Sequence, residues 1–134
     1  MGILVIILVL ILVQYLYFGM QVGGARMKYE IKAPAISGHP EFERHYRVQQ
    51  NTLEQLIIFI PLYVAFAIMA ESQGWMGYEI ASGAGVLWII GRIVYAASYV
   101  KNPDSRGKGF MIGFLATVVL IIGTLAASIM SLTG

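Results

Sequence analysis

Four long apolar segments divide the chain, and they constrain its fold more than any other feature of the sequence. The first has no polar residue from Ile3 to Val13. About 20 consecutive apolar residues cross a bilayer as a helix, in which the backbone groups satisfy one another without water. The pattern therefore predicts four membrane-spanning helices, at about residues 2–22, 50–71, 79–100 and 110–131.

The composition agrees with an all-α membrane protein in which residues 1–134 form a single four-helix transmembrane domain. Hydrophobic residues make up 58% of the chain and charged residues only 12%, far below the charged fraction of soluble proteins. The net charge of +2 does not favour nucleic acid as a partner. The absence of cysteine excludes disulfides and thiolate ligands, and the two histidines, His39 and His45, have no third ligand nearby, so no metal site is expected.

The first apolar segment has two interpretations. Small residues at Gly23, Gly24 and Ala25 would suit the cleavage site of a signal peptide. However, the segment lacks a basic start and is long for a signal peptide, so a retained helix is the preferred interpretation.

Basic residues are distributed unevenly among the three connections, which predicts the orientation of the helices. The second connection, around Gly74, has none. The first connection and the start of helix two contain Arg26, Lys28, Lys32, Arg44 and Arg47. The third connection contains Lys101, Arg106 and Lys108. Because basic loops stay in the cytoplasm, we expect connections one and three there and both termini on the opposite side.

The most polar stretch of the chain runs from Glu41 to Glu54 and leads directly into the second span. Residues three and four apart share a face of a helix, so Arg47, Asn51 and Glu54 form one stripe. A cation, an amide and a carboxylate along one stripe would suit a small zwitterionic ligand. The alternative is a solvated helix end with internal Arg–Glu pairing.

A second group of polar residues lies on helix three. Arg92, Tyr95 and Tyr99 share one face, and Arg106 follows at or just beyond the end of that helix. An arginine inside a span costs a few kcal/mol unless it is paired, so we expect a carboxylate partner from helix two, with Glu54 the nearest candidate. Arg92 would then either join two helices through an ion pair or contact a ligand. Tyr95 and Tyr99 have an alternative interpretation as members of an interfacial aromatic belt.

These stretches resemble the MAPEG family, the membrane-associated proteins in eicosanoid and glutathione metabolism. The resemblance rests on Pro40–Glu54, on Val22–Arg26, and on Arg92-Ile93-Val94-Tyr95 followed by Tyr99 and Arg106. It covers nearly the whole chain in order, and the run Gln-Asn-Thr-Leu-Glu at positions 50–54 is most similar to the microsomal glutathione transferase branch.

The resemblance implies a homotrimer of four-helix bundles, with glutathione bound as co-substrate between neighbouring subunits on the cytoplasmic side. By position, Arg106 matches the arginine that holds the glutathione thiolate. The residues that would bind the rest of glutathione are Arg26, Arg47, Gln49, Asn51, Glu54, Tyr95 and Tyr99. The pairs Gly19–Gly23 and Gly109–Gly113 would permit close helix approach, although both lie near helix ends.

Glutathione would bring the sulfur that this cysteine-free chain lacks. A free thiol has a pKa of about 8.5 and is mostly protonated at neutral pH. A nearby arginine lowers that pKa and remains charged, so it stabilises the thiolate electrostatically. The expected activity is that of a membrane-bound glutathione transferase, or also a peroxidase, acting on lipophilic electrophiles or lipid hydroperoxides from the bilayer.

Two positions differ from the eicosanoid-synthase branch of the family. Met27 follows Arg26 where that branch has paired arginines, and Gln55 replaces an aromatic residue, so leukotriene synthesis is not the expected activity. Two alternatives remain. One is a non-catalytic lipid-binding member, similar to the lipoxygenase-activating protein of the family. The other is a small four-span exporter, which would be expected to carry an acidic residue deep in a span, whereas Glu54 lies near a membrane edge.

Overall fold

Four α-helices account for nearly all of the chain in the computed structural model, which describes residues 1–134. The helices are α1 (Gly2–Tyr29), α2 (Pro40–Ser72), α3 (Gly77–Lys101) and α4 (Gly107–Thr133), and a short 3-10 helix, Pro103–Ser105, precedes α4. Each of the four is long and apolar enough to cross a membrane. The predicted all-α class with four spans is confirmed.

The first connection is shorter than the sequence predicted. The expected loop began at Arg26, but α1 continues to Tyr29, so that boundary was wrong. Arg26 and Lys28 lie in the last turn of α1, where the negative end of the helix dipole favours cations. Glu30 ends the helix in the left-handed conformation, with φ of 55°. Arg26 is thus held on a helix rather than on a loop.

The second helix begins at Pro40, whose fixed φ and missing N–H suit the first turn of a helix. His39 caps it, because its Nδ1 accepts a hydrogen bond from the Glu41 backbone N–H at 3.1 Å. The helix is continuous to Ser72 and contains Pro61. The polar first turns and the apolar part of α2 therefore belong to one continuous helix. This continuity fixes the positions of the polar side chains relative to the bundle.

The core of the bundle is aromatic. Phe59 and Trp88 stack with their ring centroids 5.1 Å apart, and Tyr63 donates from its hydroxyl to the Leu4 carbonyl at 2.7 Å. The first helix contributes buried Ile7 and Ile11 to the same cluster. Many large apolar side chains remain exposed on the outer faces of all four helices. A lipid environment accounts for these faces, because a bilayer takes the place of water around them.

Glycines allow α3 and α4 to pack with their backbones in contact. A Cβ atom added to Gly109 would lie 2.2 Å from the Tyr95 backbone nitrogen, and one added to Gly91 would lie 2.8 Å from the Gly113 nitrogen. The pair Gly109–Gly113 therefore serves packing within the chain. Gly23, by contrast, has nothing within 4 Å of such a Cβ, so it makes no close helix contact within the chain.

Candidate functional site

A cavity of about 370 Å³ opens at the end of the bundle where α2 begins, α3 ends and α4 starts. It is lined by Arg47, Asn51, Tyr95, Tyr99, Arg106 and Phe110. Five of these six are residues that the sequence singled out, and the six together come from three helices and one connection. The cavity is the place where the polar stretch of α2 and the tyrosines of α3 meet.

Helix α2 contributes a cation and an amide to the cavity. Arg47 and Asn51 are one turn apart on the same face. Arg47 Nη1 donates to Glu54 Oε1 at 3.1 Å, so Glu54 adjoins the cavity through this ion pair rather than lining it. Asn51 Oδ1 is buried and has no hydrogen-bond partner. An unpaired buried oxygen is costly unless a donor reaches it, so Asn51 is a candidate acceptor for a ligand N–H.

Helix α3 contributes the aromatic wall. The rings of Tyr95 and Tyr99 stack with centroids 5.6 Å apart and an interplanar angle of 13°. Tyr95 is buried, whereas Tyr99 is partly exposed. The two hydroxyl groups make no hydrogen bond to another residue of the chain. They provide two polar groups on an otherwise apolar surface.

Arg106 stands at the start of α4 and supplies the unpaired charge of the site. It occupies the N-cap position of that helix, its side chain is exposed, and neither salt bridge of the structure involves it. The first turn of α4 contains no acidic residue. The positive end of the α4 dipole and the guanidinium of Arg106 are therefore both available to an anion at this point.

Arg26 and Gln49 do not reach this cavity. Gln49 is two residues from Arg47, or about 200° around the helix, and its side chain lies against Gly19 of α1. Arg26 Nη1 donates to the Ala35 carbonyl at 2.7 Å, and its guanidinium lies 4.7 Å from the centre of the Phe42 ring. The predicted site residues thus fall into two groups on different faces of the same chain.

The expected pairing of Arg92 with Glu54 was wrong. Arg92 is only 2% exposed, and its Nη2 donates to Thr52 Oγ1 at 2.8 Å. Thr52 itself donates to the Val48 carbonyl, while Glu54 points to Arg47 instead. The reason lies in the rotation of α2, which turns Thr52 inward and leaves Glu54 exposed. The Arg92 guanidinium also packs 4.2 Å from the centre of the Tyr95 ring, directly behind the wall of the cavity.

Two contributors to the site were missed from the sequence. Phe110 was assigned only to the fourth span, but it lies in the first turn of α4 and lines the cavity. Its position four residues after Arg106 was the available signal, because helix geometry places such residues on one face. The second missed residue is Thr52, which holds Arg92 behind the cavity wall. Its position in the sequence gave no indication that it would contact Arg92.

A comparison of the sequence with models of known protein families identifies the family of this chain. The sequence model of the MAPEG family matches residues 4–126 of the chain. The chain belongs to the MAPEG family. The resemblance described above is confirmed, and the matched region includes residues 4–29 of the apolar first helix. With its four apolar helices, this MAPEG member is an integral, multi-pass membrane protein.

Individual MAPEG-related proteins match over most of the chain. An uncharacterized protein of Synechocystis is 41% identical over 111 residues, which cover 83% of this chain and 77% of that protein. Human microsomal glutathione S-transferase 2 is 39% identical over 111 residues, covering 81% of this chain and 71% of the human protein. Bovine leukotriene C4 synthase is 33% identical over 91 residues, covering 67% of this chain and 56% of the bovine protein.

Proposed function

We propose that this MAPEG member is a membrane-bound glutathione transferase that holds the glutathione thiolate beside Arg106. The observation that carries the proposal is the cavity itself, which combines an unpaired arginine with a buried, unpartnered amide oxygen at Asn51. The names of the relatives support it, since one is a microsomal glutathione S-transferase and another a leukotriene C4 synthase.

The charges around the cavity complement glutathione, which carries two carboxylates, one ammonium group and two amide N–H groups. Arg47 offers a guanidinium to a carboxylate, and Glu54 beside it offers a carboxylate to the ammonium. Asn51 Oδ1 would accept from an N–H of the tripeptide. Because Arg47 and Glu54 are each about half exposed, their mutual ion pair is weak enough to rearrange around a ligand.

The chemistry follows from the location of Arg106. A thiol placed between this guanidinium and the N-terminus of α4 loses its proton to water more readily, because the full charge of the guanidinium and the partial positive charge of the helix end both favour the thiolate. The thiolate sulfur then forms a bond to an electrophilic carbon, and the leaving group departs with its bonding electrons. With a hydroperoxide, the same sulfur would attack the terminal oxygen and release an alcohol, and a second glutathione would reduce the sulfenic product to give the disulfide and water.

A second copy of the chain would complete the site. Arg26 and Gln49 lie on a different face from Arg106, so they would serve the cavity of a neighbouring subunit, as the resemblance to the family implies for a homotrimer. Such an arrangement joins one face of each subunit to the other face of the next in a closed ring. We further propose that the cavity faces the cytoplasm, because it lies beside the two basic connections.

Mixing two inactive variants tests this sharing of the site. We expect Arg26→Ala and Arg106→Ala chains, each inactive in conjugation when assembled alone, to regain activity when co-expressed and co-purified. In random mixtures about one quarter of the interfaces would combine an intact Arg26 with an intact Arg106. Activity no higher than that of the separate variants would place both residues in one subunit's site, and a stable monomer in detergent would rule out sharing.

Asn51→Ala tests the proposed contact with a ligand N–H. We expect the dissociation constant of glutathione to rise about tenfold, because one buried hydrogen bond is lost. Isothermal titration of the detergent-solubilised protein measures the change. Gln73→Ala, at the opposite end of α2, is the matched control and should leave affinity unchanged. Equal affinities of wild-type protein and Asn51→Ala would show that glutathione does not use this oxygen.

A conjugation assay separates the proposed transferase from a non-catalytic lipid-binding member. Purified protein is incubated with glutathione and a lipophilic aryl halide, and the thioether product is followed by its absorbance. Product formation above the rate without protein supports the transferase. Glutathione binding without product, toward several electrophiles and a lipid hydroperoxide, would favour the non-catalytic function.

A further inference from the structure

A second and larger groove lies between α1 and α3 of the same chain. Its volume is about 730 Å³. Its walls are mainly apolar, formed by residues such as Leu10 and Val13 on α1 and Ile93 on α3. Ala97 belongs to the opposite wall and is exposed, and its side chain is too small to close the gap. The two walls are joined at Gln14, whose Nε2 donates to the Ile89 carbonyl at 3.0 Å.

The length of the groove corresponds to one leaflet of a bilayer. Its α1 wall runs from Leu10 to Gln21, which at the rise of an α-helix is about 16 Å. The hydrocarbon core of a bilayer is about 30 Å thick, so the groove spans about half of it. It extends from the middle of the span to the end of the bundle that carries the basic connections.

The end of the groove near the membrane surface is polar and positively charged. Gln21, His45 and Lys101 line it there, and Gln21 Nε2 donates to the Tyr17 hydroxyl at 3.2 Å. Arg44 adds a second cation, because its Nη1 donates to the Val100 carbonyl at 3.0 Å. Neither Lys101 nor Arg44 takes part in a salt bridge. Two cations without carboxylate partners at the mouth of an apolar groove are complementary to an anionic amphiphile.

We propose that this groove binds an anionic phospholipid of the surrounding bilayer, with an acyl chain along α1 and α3 and its phosphate at Lys101. Basic pockets between transmembrane helices recognise acidic headgroups in this manner. The groove is separate from the glutathione cavity, because its α3 residues, such as Ile93 and Ala97, are not those that line that cavity. The proposal therefore does not depend on glutathione chemistry.

Lipid retention measured by native mass spectrometry tests the proposal. Wild-type protein is released from nanodiscs that contain equal amounts of phosphatidylglycerol and phosphatidylcholine, and the retained lipids are counted. We expect phosphatidylglycerol to be preferred. Lys101→Gln should reduce that preference about fivefold, the factor expected for one basic side chain beside acidic headgroups. Ala97→Phe should reduce retention of both lipids, because its ring occupies the groove.

Lys108→Gln is the matched control, because Lys108 is exposed in the same polar region but lines neither cavity. It should retain the wild-type preference. Equal retention of the two lipids by the wild-type protein would overturn the proposal, as would the same loss in Lys108→Gln as in Lys101→Gln.

A second copy of the chain is the competing occupant of the groove, and the absence of native cysteine allows a direct test. In the Ala97→Cys variant, we expect a membrane-permeant maleimide to label the thiol in the assembled protein. A thiol that stays unlabelled in the assembly and reacts only after the subunits are dissociated in denaturant would show that another subunit covers the groove and would exclude the lipid.

Discussion

We expect Arg106→Ala to abolish the thiolate absorbance that the proposed function predicts for bound glutathione, and to lower the rate of conjugation by about 10²–10³-fold. The magnitude is that of removing one preorganised group that stabilises a developing or bound anion. Arg106 is the cavity-lining cation without a carboxylate partner, whereas Arg47 is paired with Glu54. Without Arg106, the α4 N-terminus and the Glu54-paired Arg47 would be the remaining sources of positive potential at the cavity.

The measurement is an ultraviolet difference spectrum of the purified protein with and without glutathione, alongside the rate of thioether formation. Lys108→Ala removes a cation two residues away that does not line the cavity, and it should leave both readouts unchanged. A full thiolate band in Arg106→Ala would assign the stabilisation of the sulfur to another group. A parallel loss in Lys108→Ala would indicate a general effect of surface charge instead.

Gly109→Ala should lower the melting temperature of the detergent-solubilised protein by about 10 °C, the largest stability effect that we expect from a single methyl group. The added Cβ would lie 2.2 Å from the Tyr95 backbone nitrogen and 2.7 Å from the Gly91 carbonyl oxygen, so α4 has to move away from α3. Overpacking of this kind costs about 1–3 kcal/mol, and backbone atoms cannot rotate away as side chains do.

The displacement should also reach the cavity beside Arg106, because Tyr95 and Phe110 adjoin the contact and both line that cavity. Gly107→Ala is the control within the same turn, since nothing lies within 4 Å of a Cβ at that position. It should keep the wild-type melting temperature, or raise it slightly through better helix propensity. Equal melting temperatures for the two variants would contradict the close α3–α4 packing. The change is measured by thermal unfolding monitored through tryptophan fluorescence.

The parts of the site that could be predicted from the sequence are those within one helix. Arg47 and Asn51 share a face of α2, and Tyr95 and Tyr99 stack on α3, because residues four apart are neighbours on any α-helix. The partner of Arg92 could not be predicted in this way. It depends on how α2 is rotated against α3, and a rotation that turns Thr52 inward turns Glu54 out.

The helix ends show the same division between local and tertiary information. The start of α2 follows from local sequence, since Pro40 suits the first turn of a helix whatever the helix packs against. The end of α1 was placed too early, because polarity was taken as the end of the helix. A membrane helix continues beyond the bilayer wherever its backbone hydrogen bonds continue, and the apolar pattern reports only the part in hydrocarbon.

The all-α membrane class and the four spans could be predicted from the sequence, because bilayer thickness and helix geometry act on each segment separately. The MAPEG family could be predicted too, because its motifs are continuous stretches of sequence. The contacts between side chains of different helices required the three-dimensional structure. It placed Phe110 in the cavity, separated Arg26 and Gln49 from Arg106, and opened the groove between α1 and α3. The physical reason is that contacts between helices depend on their relative rotation and axial position, which close packing at Gly91 and Gly109 helps to set.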